Sequence, residues 1–223
     1  MSNAQWETLM ARDGHEFAAY LANPTGRPRG AVVVLQEIFG VNAHIRSVTE
    51  RFAAAGFLAI APALYDRVGR SIELLYSPEE RTQAMGYAKQ VPAAKALLDV
   101  SAAVNVVKHA GKVALAGFCW GGQLAWLGAR ALPVAAAVAY YPSRIGEHLD
   151  GVPACPMLLH FGSEDPSIPL ADVARTRALY RQGEFHLYPA GHAFNCDLRD
   201  SYRPESAALA WQRTLDFLHQ HLG

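Results

Sequence analysis

The stretch Lys112-Val113-Ala114-Leu115-Ala116-Gly117-Phe118-Cys119-Trp120-Gly121-Gly122-Gln123-Leu124-Ala125-Trp126-Leu127-Gly128-Ala129-Arg130 decides the fold. Its first part, Lys112 to Ala116, predicts a buried strand, and Gln123 to Arg130 predicts a helix. A strand that turns directly into a helix strains the residue at the bend and admits only small residues two positions to either side. Gly117 and Gly121 occupy those two positions, so Cys119 is expected on a tight corner. The other reading of Cys119 is a small buried hydrophobe. Three flanking glycines favour the corner, because an inert core cysteine does not call for them.

A thiol at the first turn of a helix meets the positive end of the peptide dipoles, and a neighbouring imidazolium favours its thiolate. Attack on an ester carbonyl would create an oxyanion, for which the backbone N–H of Trp120 is one donor. A second donor must come from another strand end.

The corner has the Gly-x-nucleophile-x-Gly form of the α/β-hydrolases, with sulfur where serine is usual. In that fold an acid and then a histidine follow the nucleophile, each just past the end of a later strand. The run Cys155 to Phe161 reads as such a strand and ends in Gly162-Ser163-Glu164-Asp165-Pro166. The run Glu184 to Pro189 reads as the next and ends in Ala190-Gly191-His192-Ala193-Phe194. Asp165 would fix one ring nitrogen of His192 so that the other faces the sulfur. Glu164 competes for the acid role, but it lies one residue nearer the strand and points away if Asp165 points in. Glu184, His186, His160 and His148 read as structural or surface residues.

Upstream, Ala31 to Leu35 is a continuous apolar run of the kind buried on both faces, and it leads into Gln36-Glu37-Ile38-Phe39-Gly40-Val41-Asn42. Glu37 is thereby expected at the same sheet edge, where a carboxylate is costly unless paired or useful. The N–H of Ile38 is the expected second oxyanion donor.

Taken with Ala61-Pro62-Ala63-Leu64-Tyr65, these segments closely resemble the dienelactone hydrolase (carboxymethylenebutenolidase) family, and Arg213 to Leu218 is similar to its last helix. The resemblance implies a Cys119-His192-Asp165 triad, Glu37 helping to take the thiol proton, and hydrolysis of an enol-lactone. It implies cations for the substrate's carboxylate, of which Arg81 matches one. Where well-studied relatives carry a second arginine, four residues past the histidine, this chain has Cys196, and their accompanying tyrosine is Met85 here. Both departures point to an altered pocket. In those relatives the second arginine also pairs with the glutamate, and Arg144 or Arg199 are candidates to replace it.

The chain has 223 residues, 51% of them apolar, which suits one α/β-hydrolase domain over residues 1–223. Formal net charge is zero, without a clustered basic run, so neither nucleic acid nor an anionic membrane is an expected partner. No apolar stretch approaches a bilayer span and no signal pattern opens the chain, so a cytosolic protein is expected. Cys119, Cys155 and Cys196 form no Cys-x-x-Cys pair, and no His-Glu-x-x-His occurs. Neither a metal nor another cofactor is expected, and His219 and His221 read as a solvated helix end.

Strand and helix readings alternate along the whole chain. A hairpin or edge pair is expected around Asp13-Gly14, then helices near His44 to Ala54, Pro78 to Lys89 and Pro92 to His109. After the corner come a strand at Val134 to Tyr141 and helices near Leu170 to Arg181 and Pro204 to His221. Such alternation demands a mainly parallel sheet flanked by helices on both faces, with the site in loops at its carboxyl edge. The long connection from Leu64 to Gln90, which carries Arg81, is the expected rim or lid over Cys119.

The expected activity is hydrolysis of a small lactone or ester through an acyl-thiol, by a monomer or small homo-oligomer. A relative that binds a small acid and senses oxidants through Cys119 is the alternative. An amidotransferase-like or stress-protein-like type is disfavoured, because no His-x-Glu follows Cys119.

Overall fold

The computed structural model describes residues 3–223. Eight strands form one sheet in the order β1-β2-β4-β3-β5-β6-β7-β8. They are β1 (Asn3–Met10), β2 (Glu16–Asn23), β3 (Ala31–Leu35), β4 (Leu58–Pro62), β5 (Val113–Phe118), β6 (Ala136–Tyr140), β7 (Met157–Gly162) and β8 (Glu184–Tyr188). The hairpin β1–β2 is antiparallel and joins β4 antiparallel, while all pairings from β4 through β3, β5, β6 and β7 to β8 are parallel.

Parallel strands need crossovers, and five of the six described helices lie in them while the sixth follows the last strand. The six are α1 (Ala43–Ala54), α2 (Pro78–Gln90), α3 (Ala93–Val107), α4 (Trp120–Ala131), α5 (Leu170–Leu179) and α6 (Pro204–Leu222). Among the described residues no helix is long and apolar enough to cross a membrane.

The core sits where the sequence is most continuously apolar. Every residue of β3, β5, β6 and β7 is buried. Val32, Val33, Val34 and Leu35 have no exposed surface, each contributing roughly 1.5–3 kcal/mol through transfer out of water. Burial of both faces forces helices onto both, which makes the sheet three-layered.

Local chemistry sets the helix starts. Asn42 caps α1 by accepting from Ile45 N–H at 3.3 Å. Ser77 caps α2 by accepting from Glu80 N–H at 3.2 Å, with Pro78 at the first helical position. At α4 the cap residue is Cys119 itself, and no side chain caps the helix.

The expected elements are all present, with shifted ends. The strand read as Lys112–Ala116 runs on to Phe118, placing Cys119 directly at its end. The expected strand Val134–Tyr141 is trimmed to Ala136–Tyr140, because Tyr141 turns to φ 37° and leaves the sheet. The helix expected to reach Arg181 stops at Leu179, and the one expected to reach His109 tightens into a 3₁₀ turn at Lys108–Ala110.

A buried ion pair also escaped the reading of the sequence. Arg67, in the 3₁₀ turn after β4, grips both oxygens of Asp99 on α3, at 2.8 and 2.7 Å, and also reaches Asp13 in the β1–β2 turn. It locks the start of the long connection against the hairpin.

Strand order places the site. From β3 the chain goes outward to β4, then crosses back over β3 to β5 and proceeds the other way. At such a reversal the loops after neighbouring strands splay apart and leave a crevice at the carboxyl edge.

Candidate active site

Cys119 stands at that reversal with φ 55° and ψ −113°, between the last residue of β5 and the first of α4. A Cβ on Gly117 would collide with the carbonyl of Gly121, and one on Gly121 with the carbonyl of Leu35. Only glycine lets the helix begin this close to β3 and β5. The corner is held from both sides: Cys119 N–H donates to Tyr140 O at 3.0 Å, and Cys119 O accepts from Ser143 N–H at 3.1 Å.

Four of the five described non-glycine residues with positive φ, Cys119, Tyr141, Arg144 and Ala193, belong to this edge. Each such conformation costs on the order of 1–3 kcal/mol, and such strain gathers at functional sites.

His192, in the loop after β8, meets Asp165, in the loop after β7, through Nδ1···Oδ2 at 2.6 Å. The other oxygen of Asp165 accepts from Ser167 N–H at 2.8 Å, and no surface of the Asp165 side chain is exposed. Glu164 points to solvent, as expected. The His192 ring packs 5.1 Å from the ring of Tyr141, and the Cys119 sulfur acts on it electrostatically. Burial alone would push the imidazolium's pKa down, but charge on the Cys119 sulfur and the bond to Asp165 outweigh it and raise the pKa to about 10. Both neighbours favour the protonated ring.

Cys119 and His192 open on a cavity of about 440 Å³ lined also by Ile38 and Trp120. Among the described residues the backbone N–H groups of Ile38 and Trp120 have no carbonyl partner. They are free to receive charge.

Arg81 of α2 lines this cavity, and so do Lys89, Arg144 and Arg199, whereas no carboxylate does. Arg144 is engaged by Glu147, with Nε to Oε1 at 2.8 Å. Arg199 lies over the rings of Phe39 and Tyr76, 5.6 and 5.4 Å from their centroids. Arg81, Lys89 and Arg199 make no ion pair among the described residues. Lys89 was not singled out from the sequence, where it reads as an ordinary charge in the last turn of α2. Met85 lines the cavity as well, so α2 does form the rim expected of the Leu64–Gln90 connection.

Glu37 is 1% exposed and neither of its carboxylate oxygens has a hydrogen-bond partner. It does not line the cavity but sits behind it, with Cys196 and Tyr141 in its electrostatic field. Burial and the Glu37 charge push the Cys196 thiol up to about 12, against a bond from Tyr76 that draws it down. Of the histidines read as structural, His160 is fully buried between Tyr188 and Thr214, and His148 meets Gln123.

Residues 17–222 match the model of the dienelactone hydrolase family. The chain belongs to this family. It is 34% identical over 226 residues to the carboxymethylenebutenolidase of Pseudomonas putida, covering 95% of this chain and 94% of that one. A Yersinia pestis protein provisionally given the same name is 40% identical over 238 residues, covering 96% and 88%. A crystal structure from Klebsiella pneumoniae, provisionally named a dienelactone hydrolase, superposes with a TM-score of 0.87 at 34% identity, covering 99% of both chains. The Pyrococcus furiosus esterase Pf2001, at 15% identity, TM-score 0.73 and coverage of 100% and 94%, shares the fold alone. The architecture of this dienelactone hydrolase family member is the α/β-hydrolase fold, and the protein is a hydrolase.

Proposed function

We propose that this hydrolase of lactones or esters works through an acyl-thiol on Cys119 and prefers small substrates that carry an anionic group, as an enol-lactone with a carboxylate does. The observation that carries the reading is one imidazole bonded to a carboxylate at Nδ1 and lining, together with the Cys119 thiol that acts on it, a cavity whose described charges are all cationic.

The Cys119 sulfur attacks the carbonyl carbon, and the carbonyl π electrons move to oxygen, where Ile38 and Trp120 N–H groups stabilise them. The tetrahedral species collapses, the C–O bond to the leaving oxygen breaks, and His192 donates its proton there. Water then gives a proton to His192 and adds to the thioester, and the C–S bond breaks to release the acid and regenerate the thiolate–imidazolium pair. Asp165 keeps the ring in register throughout. Following the family resemblance, Glu37 helps to draw the thiol proton off Cys119 as the thiolate–imidazolium pair first forms, and that proton ends on His192. Arg81, Lys89 and Arg199 hold the substrate's anion, the guanidinium of Arg199 standing in for the arginine that Cys196 replaces. No cofactor enters these steps. The reading is of one cytosolic domain, a monomer or small homo-oligomer.

The test is a panel of lactones and esters with and without a carboxylate, run on the wild type, Cys119→Ala and Arg81→Ala. Loss of all turnover in Cys119→Ala, with a penalty in Arg81→Ala confined to anionic substrates, is expected. Turnover that survives in Cys119→Ala overturns the acyl-thiol route.

A further inference from the structure

Past His192 the chain continues through Asn195, Cys196 and Asp197, and this segment packs on the first turn of α1. There His44, Cys196 and Asp197 bring a ring nitrogen, a sulfur and a carboxylate oxygen all within 4.8 Å of one another. His44 and Cys196 are buried, at 2% and 0% exposure, whereas 61% of the Asp197 side chain meets solvent. The His44 Nδ1 to Asp197 Oδ1 separation is 3.4 Å. That is long for an N–H···O bond, whose usual range ends near about 3.2 Å. It matches the edge between two ligands of one tetrahedral ion, about 3.3–3.4 Å for bonds of about 2.0–2.1 Å.

Buried oxygens without partners accompany this geometry. Glu37 bears on Cys196 electrostatically, is sealed from water, and has no partner on either oxygen. Asn195 Oδ1, one residue before Cys196, is likewise buried without a donor. A carboxyl group in such a place is costly unless it is neutral or a positive charge lies near it. Arg199 is the cation that reaches this corner, but it is stacked on Phe39 and Tyr76 at the cavity wall.

We propose that His44, Cys196 and Asp197 form a binding site for a thiophilic divalent cation of the zinc class, which clips the His192 loop to α1. A thiolate, an imidazole and one carboxylate suit Zn²⁺ or Co²⁺, not Mg²⁺ or Ca²⁺, which demand all-oxygen shells. On binding, the Cys196 S–H bond breaks, its proton passes to solvent, and the sulfur lone pair bonds the metal. Entry is from the Asp197 side, where a water completes four-coordination. Linear spacing gave no sign of such a site, because His44 and Cys196 belong to opposite ends of the sequence and meet only through the sheet.

The experiment titrates chelator-treated protein with Co²⁺ alone, reading the near-ultraviolet thiolate-to-cobalt band, and then displaces it with Zn²⁺ alone while following Tm. One ion per chain, a band removed by Zn²⁺, and a Tm raised by several degrees are expected. Cys119→Ser should keep the band, Cys196→Ser should abolish it, and Asp197→Asn, at an exposed position that leaves folding undisturbed, should weaken binding at least 10-fold. Absence of both band and Tm shift in the wild type overturns the site. So does a band that survives Cys196→Ser and vanishes in Cys119→Ser, which would place the ion on the Cys119–His192 pair. Ester turnover plays no part in the readout, so failure here leaves the acyl-thiol reading untouched, and the reverse.

Discussion

Asp165 and Glu37 are both buried carboxylates at the carboxyl edge of the same sheet, yet one has both oxygens engaged and the other has neither. Asp165 divides its oxygens between a loop N–H and the His192 ring, whose proton is held in turn by that contact and by the sulfur. Glu37 is enclosed among Cys196, Tyr76 and Tyr141, whose hydroxyl is itself buried without a partner. The front of the site is thus hydrogen-bonded on both carboxylate oxygens, whereas the back holds a buried carboxyl group with no partner. A completed network positions a nucleophile, and an incomplete one marks where a proton or a cation has to enter.

The harshest way to break the front is to remove the sulfur. Cys119→Ala should lower kcat/KM by at least about 10⁴-fold, with an unchanged far-ultraviolet dichroism spectrum. Turnover of an activated ester checks it.

Next in size is Asp165→Asn, which should cost about 10²–10⁴-fold in kcat by losing ring tautomer and orientation. The wild-type alkaline limb of kcat/KM should fall near pH 10, the value to which His192 is raised, and should move to lower pH in the variant. The sign for stability follows from the same shift. A ring whose folded pKa lies above the unfolded 6.5 stabilises fully below about pH 6.5 and loses that contribution as pH climbs through about 10. Urea midpoints across that window, wild type against Asp165→Asn, should show a smaller alkaline decline in the variant.

The cationic wall sharpens the contrast between front and back. Arg199→Ala should raise KM by about 10–100-fold for carboxylate-bearing esters and leave neutral esters within about twofold. Equal losses on both would place Arg199 among the residues that hold Phe39 and Tyr76 in shape instead.

The smallest effect tests the back directly. In chelator-treated protein, Glu37→Gln should stabilise the fold by about 1–3 kcal/mol, because a neutral amide replaces a buried carboxylate without partners. A loss of stability in urea titrations would mean that Glu37 is paired in solution, and the contrast with Asp165 would fall.

The legible part of this protein was its local grammar. Gly117, Cys119 and Gly121 announce a strained corner because backbone crowding there acts between residues only a few positions apart. Asp165 and His192 were legible because each follows a strand-like run, buried throughout in β7 and only at Tyr188 in β8. Strand ends were less so: β6 stops at Tyr140 because Tyr141 bends away to pack its ring against His192, a contact the run of apolar letters does not encode.

By itself, then, the sequence determined the alternation of strands and helices, the corner, and the placement of Cys119, Asp165 and His192 each just past a strand, all set by periodicity and short-range sterics. The tertiary structure alone decided the rest. It turned Arg81, Lys89 and Arg199 toward one cavity while Glu147 took Arg144, and left Glu37 unpaired. It also brought His44 to Cys196 and Asp197. These outcomes depend on how the crossovers stack distant segments around β5, and the burial of a charge is a property of that stacking, not of its neighbours along the chain.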